Sequence, residues 1–103
     1  MIDRLHAVMQ EHGAAWDPAV PMREQTLWLE HASFMDGLVA EGFIVLGGPL
    51  ADGDRVLLAV RAADADAVRA RLAADPWNER GMLVTASVEP WTILLDGRDT
   101  PAD

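Results

Sequence analysis

Residues 42–61 read GFIVLGGPLADGDRVLLAVR, two apolar runs joined by a turn rich in glycine and aspartate. Phe43 to Leu46 is strand-like and runs into Gly47-Gly48-Pro49, Ala51-Asp52-Gly53-Asp54 carries the Asp-Gly signature of a tight hairpin, and Arg55 to Arg61 is the returning strand. Helical patterns flank this hairpin. Upstream, over Met22 to Glu41, Leu27, His31, Phe34 and Leu38 recur at i, i+4, i+7 and i+11, one face of a 3.6-residue period, and Gly42 is placed to end the helix in a left-handed cap. Downstream, Ala65 to Ala74 sets Val68, Leu72 and then Asp75 on one side, until Asp75-Pro76-Trp77 breaks the helix. Two outer strands complete the pattern. Leu5 to Gln10 is a weakly patterned β-like run, followed by a loop over Gly13 to Pro21; Met82 to Glu89 is the last strand, interrupted by Pro90 and continuing through Trp91 to Leu95.

The order β-α-β-β-α-β is the split βαβ pattern, so the expected fold is α+β and ferredoxin-like: an antiparallel four-stranded sheet with two helices on one face. Its strand order is 4-1-3-2, which makes strands 2 and 4 the edges. Pro49 and Pro90 fall in or beside those two strands, where a missing N–H breaks no ladder. Residues 1–96 are expected to form a single domain, and 97–103 a polar, mobile tail. Two helices cover only one sheet face, yet Phe43–Leu46 and Val56–Val60 are continuously apolar, as in strands buried on both sides. A second copy of the same sheet would cover the open face, giving a homodimer. A monomer with a wet face, or with its N-terminal segment folded across, is the alternative.

The 103 residues suffice for one core, and half of them are hydrophobic. Eight basic against 17 acidic residues leave a net charge of −9, which repels phosphate backbones and anionic lipid; no nucleic acid or membrane partner is expected. No run approaches the roughly 20 apolar residues of a membrane span, the N-terminus lacks a signal-peptide layout, and a cytoplasmic location is expected. Without cysteine there is neither disulfide nor thiol chemistry.

Two residues stand out as candidates for chemistry. His31 lies inside the apolar stripe of the first helix, where an imidazole needs a hydrogen-bond partner. Imidazole suits proton transfer near neutral pH, although a core histidine satisfied by a backbone carbonyl fits the same pattern. Asp75, one heptad after Val68, closes the second helix at the unfavourable end of its dipole, and a cationic His31 on the adjacent helix would compensate. Asp75-Pro76 equally well starts a short helical turn through Trp77, Asn78 and Glu79, with aspartate as N-cap and proline at N1. The two roles are compatible, because a carboxylate has two oxygens. Gly48 could let a ligand approach bare backbone, and Trp77 and Trp91 could wall a pocket; the ordinary alternatives are a bulge and core filling. Trp16-Asp17-Pro18 could cap a site, and Thr85 and Ser87 could line one or simply face solvent. His6, His12 and His31 fall in different elements without a ligand cluster, and no phosphate loop, dinucleotide fingerprint or nucleophile elbow occurs, so neither metal nor organic cofactor is expected.

The stretches His31 to Pro49 (HASFMDGLVAEGFIVLGGP) and Ala74 to Trp91 (ADPWNERGMLVTASVEPW) resemble the two signatures of the YCII-related (YciI-like) family. These are a helix-borne histidine followed by glycine and a strand ending in Gly-Pro, then Asp-Pro-aromatic, a nearby glycine and a closing Pro-aromatic. The resemblance extends over roughly residues 5 to 95. It implies a dimeric α+β barrel, with a His–Asp acid/base pair that carries by position to His31 and Asp75. Relatives of this barrel class include muconolactone isomerase and a YCII-type dehydrochlorinase, both free of organic cofactors. Many family members have an arginine three residues before the histidine, and here that position is Trp28. If that arginine anchors an anionic substrate, this chain uses Arg23 instead or prefers a less charged one. The expectation is therefore a cofactor-independent lyase or isomerase for a small, cyclic or aromatic-derived molecule. His31 would be its base, Asp75 the orienting carboxylate, and Gly48, Trp77, Trp91, Trp28 and Arg23 the surroundings of the substrate. The rival expectation is a non-catalytic dimeric module that binds a small ligand or supports an assembly; cofactor-free monooxygenation is a third.

Overall fold

Along Arg4–His12, buried residues alternate with partly exposed ones, which makes this segment a strand, β1: His6, Val8 and Gln10 face inward, while Leu5, Ala7 and Met9 face away. The computed structural model describes residues 4–98. After β1 come α1 (Trp28–Ala40), β2 (Ile44–Pro49), β3 (Arg55–Ala62), α2 (Ala65–Ala73), the single turn α3 (Pro76–Glu79) and β4 (Leu83–Pro90). The sheet order is β2-β3-β1-β4 and every pairing is antiparallel, so the fold is ferredoxin-like, with the proline-bearing strands at the edges.

One sheet face and the two long helices enclose the core. Val8, Ile44, Leu58 and Val60 pack there against Leu38 of α1 and Val68 and Leu72 of α2. Each such side chain, fully buried, contributes about 1.5–3 kcal/mol. Gly42 ends α1 at φ 82°, and Phe43 N–H reaches back to the Leu38 carbonyl. Two bulges adjust the ladder. Val45 is the extra residue of β2 between the Ile44–Val60 and Leu46–Ala59 pairs; Ala86 is the extra residue of β4 between Ser87–Met9 and Thr85–Gln10. The other sheet face carries Leu5, Ala7 and Met9 beside Leu57 and Ala59, with Leu46 and Val84 exposed toward its edges.

Several boundaries differ from expectation. The helix expected over 22–41 begins only at Trp28, after a 3-10 turn at Met22–Glu24. Gln25 is extended (ψ 151°) because its buried amide pins the preceding loop, donating to the carbonyls of Asp17 (2.6 Å) and Val20 (2.9 Å) and accepting from Asp17 N–H. β4 ends at Pro90, and Trp91–Leu95 is not a strand: Trp91 N–H bonds to the Leu5 carbonyl, and Leu94 and Leu95 lie exposed. β1 extends to His12, so His6 and His12 share one strand. The β2–β3 connection is longer than a two-residue hairpin, running over residues 50–54 with Gly53 at φ 76°. There Asp52 accepts from Asp54 N–H and from Arg55, bonds that lower its carboxyl below the usual range. Near the end of the described chain, hydrogen bonds from the Arg98 side chain and backbone hold the Asp96 carboxyl down to about 2. Of the tail expected at 97–103, residues 99–103 lie outside the described residues. Among the described residues, no helix is long and apolar enough to cross a membrane.

Candidate active site

Asp75 follows the last turn of α2, turns out of helical geometry at ψ 129°, and N-caps α3, whose N1 is Pro76. Its Oδ1 accepts from Trp77 N–H at 3.1 Å and its Oδ2 from the Asn78 amide at 3.1 Å. The carboxylate therefore faces free N–H groups rather than the negative end of α2. It is completely buried, and both oxygens lie 2.9 Å from His31 Nδ1. Cap and histidine partnership coexist.

His31 sits in the first turn of α1, its N–H bonded to the Leu27 carbonyl. Facing a carboxylate that only accepts, Nδ1 carries the proton and donates it; Nε2 is left with a lone pair. Among the described residues Nε2 makes no hydrogen bond and is not a buried unpaired atom, and His31 lines a cavity, so the lone pair meets that cavity. Trp77 holds the ring in place, stacking on it at 3.8 Å and 9°. Its own indole N–H donates to the Thr26 carbonyl at 2.7 Å. That carbonyl is presented by the turn at Leu27, whose φ of 65° costs a non-glycine residue about 1–2 kcal/mol. Trp28 lies 5.7 Å from Trp77 and 5.9 Å from His31, ring to ring. Trp16 meets Trp77 edge-on at 5.1 Å and stacks on His12 at 3.8 Å.

The cavity measures about 480 Å³, within the roughly 300–1,000 Å³ of small-molecule sites. His31, Trp16, Trp28, Trp77 and Met35 line one side; Gln10, Val56, Leu58, Gly47 and Gly48 line the sheet side. The paired glycines differ in purpose. A Cβ on Gly47 would stand 2.6 Å from Leu58 Cδ2, whereas one on Gly48 would meet nothing within 4 Å. Gly47 is needed for packing; Gly48, opposite Leu57, would turn a side chain toward the open sheet face, and its backbone borders the cavity. Among the described residues, Asp36 is the one lining side chain with a fixed charge.

Of the residues read from the sequence, His31, Asp75, Trp77, Trp28 and Gly48 gather at this site, and Trp16 joins them from the loop. Trp91 does not: it is 43% exposed and starts beside Leu5, at the opposite end of β1 from Gln10 and His12. Arg23 is not in the lining either; its guanidinium lies over the Trp28 ring, 5.9 Å from the centroid. Ser87 is opposite Met9 on the other sheet face, while the Ala86 bulge turns Thr85 inward opposite Gln10. Sequence reading missed Gln10 and His12. Their signal was present as polar residues at inward positions of a central strand. Among the described residues, no group of three or more histidine and acidic side chains could hold a metal ion.

No curated protein and no solved structure matches the chain. The histidine on α1, the aspartate before α3 and the Gly-Pro end of β2 all lie within residues 5–92, which match the YCII-related domain, and the chain belongs to that family.

Proposed function

We propose that the protein is a cofactor-independent acid/base enzyme of the lyase or isomerase type, acting on a small organic molecule. The observation that carries this reading is the buried His31–Asp75 pair, 2.9 Å apart at Nδ1, with Nε2 left free toward a cavity of ligand size. In the proposed reaction Nε2 takes a proton from a C–H or O–H of the substrate. The released electron pair forms a new double bond and either expels a leaving group (lyase) or shifts an existing double bond, after which the imidazolium returns the proton at another atom (isomerase). Asp75 orients the imidazole and stabilises its protonated form without taking the proton itself. The parallel face of Trp77 adds further stabilisation of the cation. Trp28 and Trp77 wall the substrate and Gly48 admits it close to the backbone. With Trp28 at the position many family members give to arginine, and with no arginine in the described lining, an anionic substrate is disfavoured.

The functional unit in this reading is a homodimer closed by the open sheet face. Leu5, Ala7, Met9, Leu57 and Ala59 form a contiguous apolar strip there that a second copy would cover.

Incubation in D₂O with a panel of unsaturated five- and six-membered lactones and halogenated cyclic alkenes, followed by NMR, tests the reading. Deuterium incorporation or turnover is expected with at least one compound, falling 10²- to 10⁴-fold in His31→Gln. Binding without exchange would establish the non-catalytic ligand-binding module instead, and equal rates in both proteins would remove His31 as the base. A His31→Gln protein that does not fold would make the histidine structural.

A further inference from the structure

Eight basic and 17 acidic residues give the chain a net charge of −9, so two copies approaching at random repel. The open sheet face departs from that excess. Its register places Arg55 and Arg61 of β3 opposite Glu11 and Leu5 of β1, and Glu89 of β4 opposite Ala7. Two positive and two negative side chains thus leave the face neutral around the apolar strip of Leu5, Ala7, Met9, Leu57 and Ala59. The signs are also sorted, with both arginines on β3 and the glutamates on β1 and β4. Arg55 is already bonded to Asp52 of its own chain. Arg61 and Glu89 are exposed, and neither makes an ion pair among the described residues. The Arg61 guanidinium extends across to Gly42, just ahead of the edge strand β2, where it would stand 4.0 Å from an added Cβ; Glu89 lies on the opposite edge strand, β4.

Two identical sheets can meet face to face about a two-fold axis that runs along the strands or across them. An axis along the strands exchanges β3 with β1 and β2 with β4. It lays Arg55 over the partner's Glu11 and brings the Arg61 guanidinium, at the β2 edge, to the partner's Glu89 on the β4 edge. An axis across the strands instead lays β3 on β3 and sets Arg61 against the partner's Arg55, like charge on like. We infer that the homodimer is built about the axis along the strands, with Arg61 of each protomer paired to the partner's Glu89. Symmetry makes this two ionic clasps, one at each rim of the covered apolar strip. Charges at a rim fix orientation and partner more than they add affinity, which is the role their sorting fits. The inference rests on the homodimer proposed above and deepens it by naming the orientation and the residues that set it.

Sedimentation velocity at low ionic strength tests it, on the wild type, Arg61→Glu, Glu89→Arg and an equimolar mixture of the two variants. Each variant alone sets like charges together at both clasps, and its dimer dissociation constant is expected to rise about 10²-fold. In the mixture every clasp again joins opposite signs, so a heterodimer of near wild-type affinity is expected. An effect confined to one chain cannot produce that rescue. Variants that dimerise as the wild type does, or a mixture that associates no more tightly than its components, would overturn the inferred orientation and leave the homodimer standing. A wild-type protein that stays monomeric would remove the homodimer and the clasps together. Circular dichroism checks that each variant folds. Should one fail, Arg61→Asp and Glu89→Lys carry the same exchange of sign through the same comparison.

Discussion

Replacing Asp75 with asparagine exchanges one carboxylate oxygen for an NH₂ group and leaves the shape of the site almost intact. The carboxylate accepts from three donors: His31 Nδ1, Trp77 N–H and the Asn78 amide. An asparagine keeps one carbonyl oxygen, which can still cap Trp77. Its NH₂ is then directed at His31 Nδ1 and Asn78 Nδ2, both of which are donating. Asn78 can turn its amide over. His31 Nδ1 stands 2.9 Å from the new NH₂ as well as from the remaining carbonyl, and it relieves the clash by moving its proton to Nε2, so that Nδ1 accepts from the new amide. The lost charge-assisted bond is worth about 1.5–3 kcal/mol. For a domain of this size the midpoint of thermal unfolding should fall by roughly 6–20 °C.

The chemical consequence exceeds the energetic one. A ring protonated at Nε2 presents no lone pair to the cavity, so the variant is folded, pocketed and without a base. Long-range ¹H–¹⁵N NMR of histidine-labelled protein, recorded on the neutral ring, reads the tautomer directly. Nδ1–H is expected in the wild type and Nε2–H in Asp75→Asn, alongside a urea titration for stability. A wild-type ring protonated at Nε2, or a stability loss below about 0.5 kcal/mol, the level of an ordinary surface change, would refute the reasoning.

Trp77→Phe keeps an aromatic face on His31 but strips the donor from the Thr26 carbonyl, so urea unfolding should show a loss of about 1–3 kcal/mol. The two neighbouring glycines should respond oppositely in thermal unfolding. Gly47→Ala forces a methyl onto Leu58 and should cost about 1–3 kcal/mol, whereas Gly48→Ala, whose methyl turns to the open sheet face beside Leu57, should leave stability within about 0.5 kcal/mol. If the proposed homodimer closes over the open sheet face, Met9→Lys in the middle of that face should halve the mass measured by light scattering while circular dichroism stays unchanged; an unaltered mass would refute that interface.

The architecture was legible because its signals were local and redundant. Gly42 marked a helix end that the backbone confirms at φ 82°, and the two prolines assigned the edge strands before any pairing was known. Boundaries failed where a side chain was committed elsewhere. Nothing in the run from Met22 announces that the Gln25 amide is spent on the loop at Asp17 and Val20, which costs the helix its first six expected residues. Trp91 misled because Pro-aromatic follows the last strand in sequence, while in space it lies at the end of β1 away from the cavity.

The site was half legible, and the division has a physical cause. His31 and Asp75 each break a local rule, a polar residue within an apolar stripe and a carboxylate after a helix end, and each breach is resolved by the other across 44 residues of sequence. Gln10 breaks a rule as well, but in a strand. With His6 and Gln10 at the inward positions of β1, the polar residues of LHAVMQ point at the core and the apolar Leu5, Ala7 and Met9 at the open face. Read by the usual convention, that alternation places the core on the wrong side. Both inversions vanish once the sheet is understood to have two apolar demands, one face against helices and a cavity, the other awaiting cover. A central strand whose alternation runs polar-in and apolar-out is therefore informative: it marks a sheet that keeps its chemistry under the helices and offers its hydrophobic surface outward.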